Sequence, residues 1–192
     1  HLVPPDNEQN TADPAVRHLL FLKLALNAHK TQQVNLEQFG CVVDAFGPTN
    51  GSVEFLERIQ STLMSRWFRS DLNQDEACSF LVGQEDGAFI VRFSSKCGIP
   101  FTLTRVKKGR VHHTRIHKCG DRLQIVNEKT KLKDIQFNSI IQLIADPTVQ
   151  KTFDLRCFPQ VLNVGPAERL ILTPLEDTNY QNDGLDGSDL LE

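Results

Sequence analysis

One stretch restricts what this chain can fold into more than any other: Asp86 to Ser95, DGAFIVRFSS. Asp86-Gly87 is a turn signal. Phe89, Ile90 and Val91 then follow as β-formers without helical spacing, which predicts a buried strand over about 88–94. Inside that strand, between Val91 and Phe93, stands Arg92. Arginine is almost never fully buried unless it is paired. Either the strand lies at an edge and Arg92 snorkels to water, or its guanidinium waits for an anion. Ser94, Ser95 and Gly98 place small hydroxyls and a flexible loop beside the charge. An arginine fork completed by loop amides and hydroxyls is a phosphate cage.

The charge distribution points the same way. The net charge is −3, but residues 92–133 hold twelve lysines and arginines against Asp121 and Glu128, a local +10 that leaves −13 elsewhere. The middle of the chain should therefore attract anions. Nucleic acid is one polyanion this basic segment could serve. Against that, Phe93 and Phe101 read as core, so the segment lacks exposed aromatics on which bases would stack. Cys97, His113, His117 and Cys119 are candidate zinc ligands, and His113 to His117 has the H-x₃-H spacing. Both histidines fall on a predicted strand, however, which spreads them over a long reach. No nucleophile–base pair, phosphate loop or carboxylate pair appears, so neither an enzyme nor a cofactor is expected within these residues.

At 192 residues with 40% apolar content, the chain holds one ordinary domain with an extension, or two small ones. No apolar run reaches the length of a membrane span, and residues 14–28 lack the cleavage site of a signal peptide. The missing initiator Met suggests a piece of a longer protein. Five irregularly spaced cysteines argue for reduced thiols in the cytosol or nucleus. Residues 1–12, with Pro4-Pro5, read as a loose arm. Asp13-Pro14 starts a helix filled by Leu19, Leu20, Leu22, Leu24 and Leu26 to about Ala28. Asn35 to Gln38 is a capping box before Phe39, Val42, Val43 and Phe46, and Gly47-Pro48 ends that helix. A third helix is expected from about Ser52, with Leu56, Ile59, Leu63 and Trp67 on one face. The helix–loop–helix at 15–46 has an EF-hand outline. Its loop, His29 to Gly40, offers only Asn35 and Glu37 as plausible ligands, too few carboxylates for calcium.

Downstream, strands are expected at 101–107 and 110–118 around a Lys108-Gly109 turn, with a small second hairpin in 121–134. A helix follows from Phe137 to Ala145, stopped by Asp146-Pro147, and Phe153, Leu155 and Phe158 close the core. Pro166 to Glu192 is an acidic tail with seven acids, one arginine and the chain's only tyrosine, Tyr180.

Set in order, these residues resemble the Src-homology-2 (SH2) domain. GAFIVRFSS resembles its second strand, and Trp67-Phe68 with Asp75-Glu76-Ala77 its opening. Phe101-Thr-Leu-Thr and Val111 to Ile116 resemble its third and fourth strands, and Ser139 to Ile144 its second helix. The likeness covers about Trp67 to Pro159. The preceding LEQFGCVVDAFGP stretch resembles the helical linker of STAT proteins. It resembles still more closely the C-terminal segment of amoebozoan kinases carrying such a module, which implies a kinase domain upstream.

The resemblance implies an α+β fold, a central antiparallel sheet flanked by two helices, with an N-terminal helical subdomain. It divides the chain into an arm (1–12), a helical linker (13–66), an SH2 domain (67–160) and a tail (161–192). Its function would be phosphotyrosine-peptide binding in an intracellular signalling protein. Arg92 would grip the phosphate, helped by Ser94 on its own face and by Ser95 and Lys96 from the loop. His113 would orient Arg92 or the tyrosyl ring, and Arg115 on the same strand face would supply a second cation. Gln74 stands where many members carry an arginine, which removes one charge from the clamp and leaves more to Arg115. Thr114 stands where many carry an aromatic that divides the peptide surface. Tyr180 is a candidate phosphorylation site, readable by the module of a second copy in a dimer.

Overall fold

The computed structural model describes residues 14–26, 35–47, 53–94, 96, 98–126, 132 and 135–156. Three helices come first, α1 (Pro14–Leu26), α2 (Leu36–Phe46) and α3 (Val53–Leu63), and α4 (Gln74–Leu81) follows. Then come β1 (Phe89–Phe93), β2 (Phe101–Lys107), β3 (Arg110–Cys119), β4 (Arg122–Ile125) and β5 (Gln136–Phe137), before α5 (Ile140–Ala145) and α6 (Pro147–Phe153). The strands form one antiparallel sheet in sequence order, β1-β2-β3-β4-β5. This is the expected α+β architecture.

Local chemistry sets the boundaries. At α2 the Asn35 side-chain oxygen Oδ1 accepts from the Gln38 backbone amide at 2.8 Å and the Gln38 side chain accepts from the Asn35 backbone amide at 2.9 Å, the reciprocal box read from the sequence. Asn73 and Glu76 build the same device at α4. Lys108 and Gly109 both adopt positive φ, 53° and 66°, as a tight two-residue hairpin requires. The Asp86 carboxylate accepts from both of their amides, at 2.8 and 2.9 Å, and those two bonds hold Asp86 below its ordinary pKa. Trp67 and Arg69 bond across to Val91 and line the outer edge of β1, covering an edge otherwise open to other strands.

Several expectations are corrected. In α1 the core positions are Phe21 and Ala25, whereas Leu19 is 61% exposed, because only one stripe of the helix meets α2 and α3. The third helix ends at Leu63, so Trp67 is buried from a turn beyond it. Phe137 is a strand residue. The helix expected from it begins only at Ile140, capped by the Ser139 hydroxyl. Asp146-Pro147 does stop α5, but it also starts α6: the Asp146 carboxylate accepts from the Thr148 and Val149 amides, and proline occupies the first turn. In place of a separate hairpin within 121–134, β4 pairs with β3 and β5; residues 127–131, 133 and 134, the 1–12 arm, the Asp13 cap, Phe158 and the acidic tail lie outside the described residues.

The sheet has two differently covered faces. On one, Phe89, Val91, Phe93, Phe101, Leu103 and Ile116 join α1–α3, α5 and α6 in a single core. Phe46 of α2 sits edge-on to Phe93 and Phe101, at 6.0 and 5.8 Å. On the other, α4 packs Ala77 and Leu81 against Ala88, Ile90 and Val106. That apolar patch is small and leaves the rest of the α4 face to polar side chains. No helix among the described residues is long and apolar enough to cross a membrane.

Candidate functional site

Strand alternation places Ile90 and Arg92 on the α4 face and their neighbours Phe89, Val91 and Phe93 on the other. The register then builds rows across the sheet. Arg92 pairs with Thr102, which pairs with Arg115; Ile90 pairs with Thr104, which pairs with His113. Thr102 and Thr104 are both buried. Two cations and a histidine thus stand on one face around two buried threonines, and Cys78 approaches from α4.

Arg92 is only 4% exposed. One terminal nitrogen donates to the carbonyl of its own neighbour, Phe93, at 3.0 Å. Among the described residues nothing accepts a bond from Nε. Burial pushes the guanidinium below its ordinary pKa, with Cys78 acting in the opposite sense. An arginine nevertheless stays charged in a protein. A buried cation with an unmade bond is expensive to hold.

A second buried arginine shows what a settled one looks like. Arg105, 8% exposed, donates to the Phe153 carbonyl at 3.0 Å and lies over the Phe153 ring at 5.1 Å. It ties α6 to the opposite face of the sheet. Its Nε is also unpartnered, but its charge faces carbonyls and a ring, and Asp154 counters the effect of burial. No comparable tertiary anchor is made by Arg92.

The other expected site residues fall as follows. His113 Nδ1 lies 3.0 Å from Thr104 Oγ1 and Nε2 lies 3.3 Å from Cys78 Sγ. Its ring is thus held by a threonine and a thiol on the sheet face that carries Arg92. Burial first, then Arg92 and His112, hold His113 below its ordinary pKa. Arg115 is exposed at the end of its row, and Gln74 is exposed at the first position of α4. The Ser94 hydroxyl accepts from the Lys96 amide at 3.2 Å. Ser94 and Lys96 also line a cavity of about 310 Å³ behind the loop, together with Phe93, Pro100 and residues of α1 and α2. Ser95 and Tyr180 lie outside the described residues.

Of the zinc candidates, His113 lies against Thr104 and Cys78, Cys119 Sγ donates to Gln124 Oε1 at 3.1 Å, and Cys97 lies outside the described residues. Among the described residues no group of three or more His, Cys, Asp or Glu could hold a metal ion. Three site residues escaped the sequence reading. Thr102 and Thr104 were detectable as the register partners of Arg92 and Ile90. Cys78 was detectable as the residue four after Gln74, on the same side of α4.

With this geometry in place, the likeness to known proteins is specific. Residues 67–146 match the family model described as the SH2 domain. The chain is 31% identical over 116 residues to the dual specificity protein kinase shkC of Dictyostelium discoideum, a match covering 58% of this chain and 22% of the kinase. It is 34% identical over 104 residues to shkA of the same organism, covering 53% and 20%. The match thus spans about a fifth of the length of these curated relatives. Among solved structures, the SH2 domain of a CRK/CRKL homologue from Monosiga brevicollis is 21% identical, with a TM-score of 0.35, covering 42% of this chain and 70% of that one. The chain carries an SH2 domain across residues 67–146.

Proposed function

We propose that this SH2 domain binds tyrosine-phosphorylated segments of signalling proteins, with Arg92 as the residue that takes the phosphate. The observation that carries the proposal is a strand arginine buried to 4% exposure whose Nε lacks a partner among the described residues. A phosphate dianion reaching that pocket would supply a charge-assisted, bidentate acceptor. Arg115, one row-partner beyond Thr102, is the second cation of the site. Ser94, Ser95 and Lys96 close the loop side, His113 holds the wall with Thr104, and Gln74 contributes a neutral contact from α4. Helices α1–α3 form a linker before the domain. By analogy with the kinases it resembles, the domain would address a kinase in the cytosol or nucleus to phosphorylated partners.

Binding of a polyanion such as nucleic acid through the 92–133 segment is less well supported. Phe93 stacks with Phe101 at 5.9 Å within the core, leaving neither ring for a base. The deciding experiment is a titration of the chain with one peptide in phosphotyrosyl, phosphoseryl and unphosphorylated forms, and with a single-stranded oligonucleotide. Saturable binding restricted to the phosphotyrosyl form is expected. Equal binding of phosphoseryl peptide, or tighter salt-sensitive binding of the oligonucleotide, overturns the proposal.

A further inference from the structure

Cys78 has no part in the function proposed above, yet it stands at the centre of the site. Its Sγ is 3.3 Å from His113 Nε2, and the thiol is partly exposed. In the tautomer that donates its Nδ1 proton to Thr104 Oγ1, Nε2 is an acceptor facing the sulfur. The second observation is independent of the thiol. Arg92, nine-tenths buried and with Nε unpartnered among the described residues, stands on the same sheet face as His113, in the neighbouring cross-strand row. A proton acceptor on one side and a cation in need of an anion on the other make an environment in which cysteine sulfur is oxidised selectively.

We propose that Cys78 is an oxidation site for hydrogen peroxide and that its oxidation closes the Arg92 pocket to phosphate. The sulfur attacks one peroxide oxygen while His113 Nε2 takes the thiol proton. The S–O bond forms, the O–O bond breaks, and the departing hydroxide collects the proton and leaves as water. Sulfur loses two electrons and peroxide gains them, so a thiol and peroxide become a sulfenic acid and water. The new oxygen adds an acceptor beside His113, on the sheet face that carries Arg92, and competes there with a phosphate oxygen for the guanidinium. A further equivalent of peroxide gives a sulfinate, an anion that pairs with Arg92 outright. Peptide binding then depends on the redox state of the pocket itself. The closure part of this proposal rests on the phosphotyrosine reading; the reactivity part does not.

The test uses the full chain and two readouts. Dimedone labelling followed by peptide mass mapping reports sulfenic acid at each cysteine, and fluorescence anisotropy reports affinity for a phosphotyrosyl peptide. Cys78 should label faster than the exposed Cys41, and inorganic phosphate should slow that labelling. Mild peroxide should weaken peptide binding by about tenfold or more, and dithiothreitol should restore it. In Cys78→Ala the affinity of the peroxide-treated protein should stay within about twofold of its own untreated value. Cys78 remaining unlabelled while Cys41 reacts overturns the proposal, as does an equal loss of affinity on oxidation in wild type and Cys78→Ala. If the reduced wild type bound no phosphotyrosyl peptide, the functional reading would fall. The labelling rate of Cys78 against Cys41, measured without phosphate, would then decide the Cys78 site alone.

Discussion

Replacing Arg92 by methionine separates its two roles, because methionine keeps most of the apolar stem and removes the charge. Folding has already taken the guanidinium out of water, so a bound phosphate meets a cation whose desolvation is complete. Each charge-assisted hydrogen bond is worth about 1.5–3 kcal/mol. Loss of a two-bond fork, offset in part by water that replaces the phosphate contacts, leaves about 3–4 kcal/mol, or roughly 150- to 1000-fold in affinity. Stability should move the other way or not at all. Among the described residues the side chain makes one bond, to the Phe93 carbonyl, and Nε finds no acceptor, so removing the charge should change stability by no more than about 1 kcal/mol. Arg105→Met is the matching control. It breaks the Phe153 carbonyl bond and the ring contact, and should lower stability by about 1–3 kcal/mol while leaving affinity unchanged. Isothermal titration with a phosphotyrosyl peptide and thermal melts of both variants decide the matter. Binding by folded Arg92→Met within threefold of wild type would refute the reasoning, as would a large fall in its melting temperature.

Four other outcomes are expected. Arg115→Ala should weaken peptide binding more than Gln74→Ala, since Arg115 is charged and in register with Thr102 and Arg92; equal losses by titration would remove its role as second cation. Gly87→Ala should destabilise the fold by on the order of 2–3 kcal/mol in urea, because Gly87 has φ +93° and an added Cβ would lie 2.7 Å from the Asp154 carbonyl oxygen. His113 is held below its ordinary value of 6.5, so the unfolded chain takes up that proton first and stability should fall as pH drops below about 6.5; His113→Gln should flatten that part of the stability–pH curve. Phosphorylation of Tyr180 should produce a dimer by light scattering that disappears in Arg92→Met, and a monomer at every concentration would end that idea.

The sequence made some parts of this molecule legible because they are local. The Asn35–Gln38 box, the Lys108-Gly109 turn and the alternation of β1 follow from neighbouring residues and appear in the structure with little change. What it hid depends on register and on helix-to-sheet packing. Thr102 and Thr104 look like ordinary strand threonines until pairing sets them beside Arg92 and His113. Cys78 looks like a helix filler until α4 packs on the β1–β2 side of the sheet and brings its sulfur to His113 of β3. Leu19 misled because a leucine-rich run gives no clue to which stripe is covered. Asp146-Pro147 misled because a proline that ends one helix is equally suited to begin another.

The same strand explains how a chain can hold a buried cation. Burying a charge without full pairing costs several kcal/mol, and β1 carries that cost on one face while Phe93 carries aromatic packing on the other. Phe93 meets Phe46, Phe68 and Phe101 at 6.0, 5.1 and 5.9 Å, and Phe101 meets Phe46 and Phe68 at 5.8 and 6.0 Å. At about 0.5–1.5 kcal/mol for each such contact, the group contributes several kcal/mol. That is of the order needed to hold in place a strand that carries a buried charge. Phe46 belongs to α2, so the helical segment preceding the SH2 domain adds directly to this support. The helices therefore brace, from behind, the strand whose front face presents the arginine.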